Sequence, residues 1–168
     1  MGSRRFDFDQ IMAALVAREV RFVLIGGLAA LAQGSPFPTE DVDITPEASR
    51  ANLDRLSAAL RDLDAKIRTA AVPEGVPFDH DGESLSTAGV WNLTTTHGWL
   101  DISMVPHGTE GFADLDRDAK DLEVMGLSVR VASLADVIRS KQAADRDKDN
   151  LVLPVLRRLL ADRRLDTN

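Results

Sequence analysis

Phe22-Val23-Leu24-Ile25 is an unbroken apolar run that ends on Gly26-Gly27, and this junction restricts the fold more than any other stretch. Beginning at Arg21, the run reads as a buried strand, and the glycine pair turns the chain into a short helix over Leu28 to Gln33 that Gly34 and Pro36 stop. A second strand, Glu40 to Thr45, follows. In it Asp41 and Asp43 share one face, while Val42 and Ile44 point to the other and can enter a core. Carboxylates held so close repel each other unless a cation lies among them, and an all-oxygen donor set favours Mg²⁺.

Alternation of helix and strand continues along the chain. Phe8, Ile11, Met12, Leu15 and Val16 recur at helical spacing after Asp7 and Asp9 as capping residues. Leu53, Leu56, Leu60 and Leu63 mark a longer helix beginning near Pro46, and Lys66 to Ala70 reads as a further strand. The Pro-, Gly- and acid-rich stretch from Val72 to Ser86 predicts a loop with one short helical turn. Val90 to Thr95 and Trp99 to Val105 form a hairpin around Thr96-His97-Gly98. In its second strand Leu100, Ile102 and Met104 share a face, so Asp101 points away from that apolar row and a neighbouring strand can bring it beside Asp41 and Asp43.

Leu122 to Met125 and Leu127 to Val131 read as two short strands around Gly126, and Ser133 caps a helix through about Ala144. A last helix runs to about Arg163 with Leu153, Leu156, Leu159 and Leu160 inward, starting near Pro154 or kinked there. The expected class is therefore α+β (mixed α/β), a small mixed central sheet with helices packed on it. Residues 1–168 are expected to form a single domain, with a core of about 20–132 and a helical segment of about 133–164.

Composition narrows the partners. A formal charge of -7 argues against a broad surface for duplex DNA, though a local basic groove for a nucleotide or RNA end stays open. With no cysteine there is neither a disulfide framework nor a thiolate metal site, which suits the cytoplasm. The apolar run after Arg4 and Arg5 is too short for a signal-peptide core, and no segment reaches the roughly 20 apolar residues of a membrane span. A cytoplasmic protein without membrane contact is expected.

Asp41, Asp43 and Asp101 together are candidate ligands for two metal ions about 4 Å apart, the arrangement that clamps attacking and leaving oxygens in phosphoryl or nucleotidyl transfer. Taken alone, an Asp-x-Asp is more often a pair of surface acids, and a glycine pair more often purely structural. Their succession is what favours a triphosphate site, because glycine lets backbone amides approach phosphate oxygens and the next helix offers its positive end.

These residues resemble the nucleotidyltransferase superfamily related to DNA polymerase beta, whose pattern is strand, Gly-Gly or Gly-Ser, short helix, then Asp-x-Asp on the next strand. Gly26, Gly27, Asp41 and Asp43 fit it, and Trp99-Leu100-Asp101-Ile102-Ser103 looks like the later strand that supplies a third carboxylate. Ser140-Lys141, followed by Arg146-Asp147-Lys148-Asp149, is similar to a segment of small bacterial members, including toxin-like proteins of abortive-infection and toxin-antitoxin systems. The likeness spans about residues 20–160, with Gly27 standing where many members carry serine.

The resemblance implies a nucleotidyltransferase fold and a Mg²⁺-dependent, ATP-binding type of transferase that moves a nucleoside monophosphate from a nucleoside triphosphate to a hydroxyl. The acceptor is an RNA such as tRNA, a protein or a small molecule, and an antitoxin partner is one expectation. Asp41, Asp43 and Asp101 would be metal ligands and catalytic groups, and Gly26, Gly27, Lys141 and Arg146 would bind nucleotide. From the residues themselves, Lys141 continues the inward stripe of Leu134, Val137 and Ile138, either snorkelling to the surface or meeting phosphates. Arg146, Lys148 and Asp149 read as a solvated, internally paired cluster. His80, His97 and His107 lack metal-ligand spacing, Trp91 and Trp99 read as packing residues, and Arg157, Arg158, Arg163 and Arg164 read as the wet face of the last helix. Two rivals stand beside the transferase: a catalytically weak or inactive binding component of a regulatory complex, and a glycosyltransferase that uses Asp-x-Asp for a sugar nucleotide.

Overall fold

The computed structural model describes residues 6–167, so Arg4 and Arg5 lie outside the described residues. The chain alternates as expected through α1 (Phe8–Ala17), β1 (Phe22–Ile25), α2 (Gly26–Leu31), β2 (Asp41–Pro46), α3 (Arg50–Asp62) and β3 (Lys66–Ile67). It continues through α4 (Gly82–Leu85), β4 (Val90–Thr95), β5 (Gly98–Ser103), α5 (Phe112–Asp118), β6 (Lys120–Val124), β7 (Leu127–Val131), α6 (Leu134–Ala144) and α7 (Asp147–Asp166). One mixed sheet orders the strands β3-β4-β5-β2-β1-β7-β6. Within it β2 runs antiparallel to β1 and parallel to β5, so the two strands bearing the acids are direct neighbours.

Register explains how the sheet separates core from site. Leu24 aligns with Ile44 and Ile44 with Ile102, while Val42 aligns with Leu100 and Leu100 with Leu93. Because side chains alternate across a strand, these rows share one face, and all six are completely buried. Helices α1 and α3 pack on each other, and α1 touches β2 and β5. Ile11, Met12 and Leu15 of α1, with Leu53, Leu56 and Leu60 of α3, are buried as their spacing predicts. The opposite rows contain Asp41, Asp43 and Asp101.

Several boundaries moved for identifiable reasons. Helix α3 begins at Arg50 rather than near Pro46, because β2 runs through Pro46 and Ser49 takes the capping position, its Oγ accepting from the Asn52 amide at 3.3 Å. Strand β3 keeps only two residues, and β5 ends at Ser103, before Val105 and Pro106. Helix α5 was not foreseen; its apolar signal is limited to Phe112 and Leu115. Helix α7 starts at Asp147 and carries Pro154 in its interior, where the Asn150 carbonyl loses its helical donor. Met125 and Gly126, both at positive φ, join β6 to β7 as a two-residue turn that matches the twist of the hairpin. Among the described residues no helix is long and apolar enough to cross a membrane.

Asn52 ties this half of the molecule together. It is completely buried; its amide donates to the carbonyls of Arg21 at 2.9 Å and Glu47 at 2.8 Å, and its oxygen accepts from the Arg21 amide at 2.7 Å. Asn52→Ala takes the partner from the Arg21 amide and the Glu47 carbonyl, while the Arg21 carbonyl keeps the Glu47 amide at 3.0 Å, and a loss of about 2–4 kcal/mol is expected in urea unfolding. A loss within 0.5 kcal/mol, roughly the scatter of an ordinary surface change, would show the bridge to be dispensable.

Candidate metal and nucleotide site

Strand β1 delivers the chain to Ile25, which pairs with Asp43, and the next residue turns sharply. Gly26 has φ +68, and a Cβ there would overlap the Asp43 carboxylate and lie 2.9 Å from its Cγ. Glycine is thus required twice, for a left-handed backbone and for the close approach of Asp43. A Cβ at Gly27 would meet Thr39 Oγ1 at 2.9 Å, so this second glycine lets the turn pack against the segment leading into β2. Both glycines fall within α2, with Gly26 at positive φ making the turn as its first residue. At six residues α2 has few aligned peptides, so the helix-end field expected from the sequence is small, and the turn offers chiefly unobstructed backbone.

The third acid arrives through the parallel pairing of β2 with β5. Asp43 aligns with Asp101, and Asp41 aligns with Trp99 one step along. One carboxylate oxygen from each of Asp41, Asp43 and Asp101 lies within 4.8 Å of the others, and this is the grouping of potential metal ligands found among the described residues. All three aspartates predicted from sequence therefore meet.

Each is held differently. Thr39 Oγ1 is 3.2 Å from Asp41 Oδ1 and equally 3.2 Å from the Asp41 carbonyl, and donates to one at a time. Asp101 Oδ1 accepts from Arg68 at 2.9 Å. Burial pushes the Asp43 carboxyl up to about 8, with further upward pressure from the charges of Asp41 and Asp101, against which Lys141 and Lys148 act weakly. Burial likewise raises Asp101 to about 7, aided by its hydrogen bond with Asp41 and opposed by Arg68. Asp43 is thus mostly protonated at neutrality and Asp101 about half so unless positive charge is supplied, an arrangement that a cation among them would relieve.

Lys141 points inward as expected: its side chain is 15% exposed, and Nζ lies 3.5 Å from Asp149 Oδ1. Asp149, at the start of α7, is buried and also accepts from Arg146 at 2.7 Å and 3.3 Å. Burial alone would raise the Asp149 carboxyl, but the hydrogen bond and charge of Arg146, with the charge of Lys141, hold it below the usual range. The predicted internal pairing is present, although its acid is buried rather than solvated.

The remaining expectations divide. Trp91 donates from Nε1 to the Leu85 carbonyl at 3.0 Å and stacks on Phe78, a packing role. Trp99 carries the Arg68 guanidinium 4.5 Å over its ring. His80 bonds Ser57 through Nδ1 at 2.7 Å, and His97 lies 3.8 Å from Asp7; no histidine joins the acidic group. Arg163 is not merely wet, since it donates to Gln33 and so fastens α7 beside the end of α2. Sequence reasoning missed Arg68 and Thr39 near the site, and read Lys148 only as part of a solvated cluster, although its charge reaches Asp43. Thr39 stands only two residues before Asp41 and was findable as a local hydroxyl partner, whereas Arg68 follows a two-residue strand and carried no signal.

No protein-family model and no curated protein matches the sequence. By structure the chain is similar to the lincosamide antibiotic adenylyltransferase LnuA, solved with lincomycin bound, at TM-score 0.62 and 15% identity, covering 94% of this chain and 99% of that one. It is also similar to ANT(2'')-Ia, solved in complex with adenylyl-2''-tobramycin, at TM-score 0.57 and 16% identity, covering 95% of this chain and 91% of that one. At these identities the likeness establishes the fold: this is the nucleotidyltransferase fold.

Proposed function

We propose that this chain transfers a nucleoside monophosphate from a nucleoside triphosphate to a hydroxyl of a small-molecule acceptor, with Mg²⁺ held by Asp41, Asp43 and Asp101. The observation that carries this reading is the meeting of three carboxylates from two neighbouring strands beside a glycine turn that a side chain would obstruct. The donor set fits the metal: it is all oxygen and compact, and burial and neighbouring acid charge raise Asp43 and Asp101 in pKa. Bound there, Mg²⁺ would neutralise charge on the phosphates and ease ionisation of the attacking hydroxyl.

The chain's own groups do the rest. Asp101 faces the acceptor and takes the hydroxyl proton as the acceptor oxygen bonds to the α-phosphorus; the bond from that phosphorus to the β-phosphate oxygen breaks, and pyrophosphate leaves. Gly26 and Gly27 leave backbone exposed to the triphosphate. Lys141 offsets phosphate charge, and Arg146 shares Asp149 with it, so that carboxylate's charge is divided between two cations. A small acceptor is favoured because two neighbours of the same fold and nearly the same extent are antibiotic adenylyltransferases, which also makes ATP the first donor to try.

Labelled triphosphates of each base, Mg²⁺ and a panel containing lincosamides, aminoglycosides, total RNA and lysate protein test the reading. Label is expected in the small-molecule fraction with the wild type and not with Asp43→Ala. Equal transfer by both proteins removes the site assignment, and label confined to RNA or protein removes the acceptor class. Lys141→Ala is expected to weaken Mg²⁺-triphosphate binding about tenfold by calorimetry, as befits loss of one charge-assisted contact. Unchanged affinity would leave Lys141 only its partnership with Asp149.

A further inference from the structure

The three carboxylates are not equivalent, and what distinguishes Asp101 is Arg68. The Arg68 backbone amide donates to the Asn92 carbonyl at 3.0 Å, which seats the residue on β4 opposite the position that pairs with Asp101. From there its side chain is held at three points. The guanidinium lies over the Trp99 ring at 4.5 Å, one nitrogen donates to the Leu93 carbonyl at 3.4 Å, and another donates to Asp101 Oδ1 at 2.9 Å. Only about a quarter of the Arg68 side chain is exposed, and Asp101 is 18% exposed, so the pair is shielded from competing water.

We infer that Arg68 is the positioning residue of the site: it occupies one oxygen of Asp101 and thereby aims the other at the metal and the acceptor hydroxyl. The inference rests on the proposed reading of the three aspartates as a metal site. A flat, rigid cation is needed to satisfy the aromatic face, the carbonyl and the carboxylate together, and a lysine ammonium cannot lie flat on a ring while donating sideways to two oxygens. Among the described residues Asp41 and Asp43 have no such clamp; a hydroxyl serves the first, and burial under the glycine turn fixes the second.

The diagnostic change is Arg68→Lys, because it keeps the charge and removes the geometry. Loss of charge alone would relieve repulsion of a metal ion and tighten binding, so a neutral substitution would mix two opposing effects. Mn²⁺ titrated into the whole protein and followed by electron paramagnetic resonance supplies a readout independent of turnover. The wild type is expected to bind Mn²⁺ and Asp43→Asn to lose it. Arg68→Lys is expected to bind about tenfold more weakly, as for other partners that orient a ligand, while melting within a few degrees of the wild type. Once the acceptor is known, the same variant should lower kcat with KM for the triphosphate unchanged. Mn²⁺ affinity in Arg68→Lys equal to that of the wild type overturns the positioning role and leaves the metal site standing. If wild type and Asp43→Asn bind Mn²⁺ equally, the metal-site reading fails and this inference falls with it.

Discussion

Asp43→Asn is expected to abolish nucleotidyl transfer, by about a thousandfold or more, and at the same time to raise the melting temperature of the metal-free protein at pH 8 by about 5 °C. The two effects have one cause. Asp43 is pushed up to about 8 by burial and by the charges of Asp41 and Asp101, so ionising it in the folded chain is costly. In the unfolded chain the same carboxyl titrates near 3.9. A folded value above the unfolded one means that the contribution of the protonated form is fully present below about pH 4 and is lost as pH rises through about 8. Metal-free wild type should therefore lose stability across that window, and the amide, which never ionises, should not. The gain is on the order of a few kcal/mol at its upper end, since Asp43 titrates together with its neighbours.

Adding Mg²⁺ or Mn²⁺ should reverse the order. A cation that binds only the folded state stabilises it in proportion to the logarithm of one plus the ratio of free cation to Kd, about 2.7 kcal/mol at a hundredfold excess over Kd. Wild type should gain this and Asp43→Asn should not, so the melting curves cross as metal is added. Thermal scans at pH 5 and pH 8, with and without metal, contain the whole test. A variant less stable than wild type at pH 8 without metal would mean that the carboxylates are not in conflict. An active variant would mean that the chemistry lies elsewhere.

How far the chain could be read without coordinates follows from which contacts are local. Asp41 and Asp43 are two residues apart on one strand, so their common face was legible, and so was the glycine turn. The orientation of Asp101 was legible too, from Leu100 and Ile102 beside it. That β5 would lie parallel to β2, in the register that sets Asp101 against Asp43, was not, because strand order depends on packing across the whole sheet. Arg68 was hidden for the same reason: its aromatic and acidic partners lie on β5, some thirty residues away, and only the fold assembles them. Asn52 has no local signal either, because the Arg21 backbone it serves lies 31 residues before it.

Gly26→Ala should also remove transfer, by at least a hundredfold, and Gly126→Ala should not. Both glycines have positive φ, +68 and +81, so both substitutions place alanine in a left-handed backbone at about 1–2 kcal/mol. They differ in surroundings. A Cβ at Gly126 meets nothing within 4 Å, whereas one at Gly26 overlaps the Asp43 carboxylate and lies 2.9 Å from its Cγ and 3.0 Å from its Cβ. The alanine therefore expels the Asp43 carboxylate from its place among the acids, and a displacement near 1 Å is enough to spoil a metal site. If the clash is the cause, Gly26→Ala must cost less stability when Asp43 is already alanine, because the overlapping carboxylate is gone. A double-mutant cycle should then show coupling of about 1 kcal/mol or more between positions 26 and 43, and none between 126 and 43. Additive losses at 26 and 43, with transfer retained in Gly26→Ala, would show that the turn and the acid only happen to be adjacent. Coupling together with lost transfer would mean that the glycine is there to admit the carboxylate.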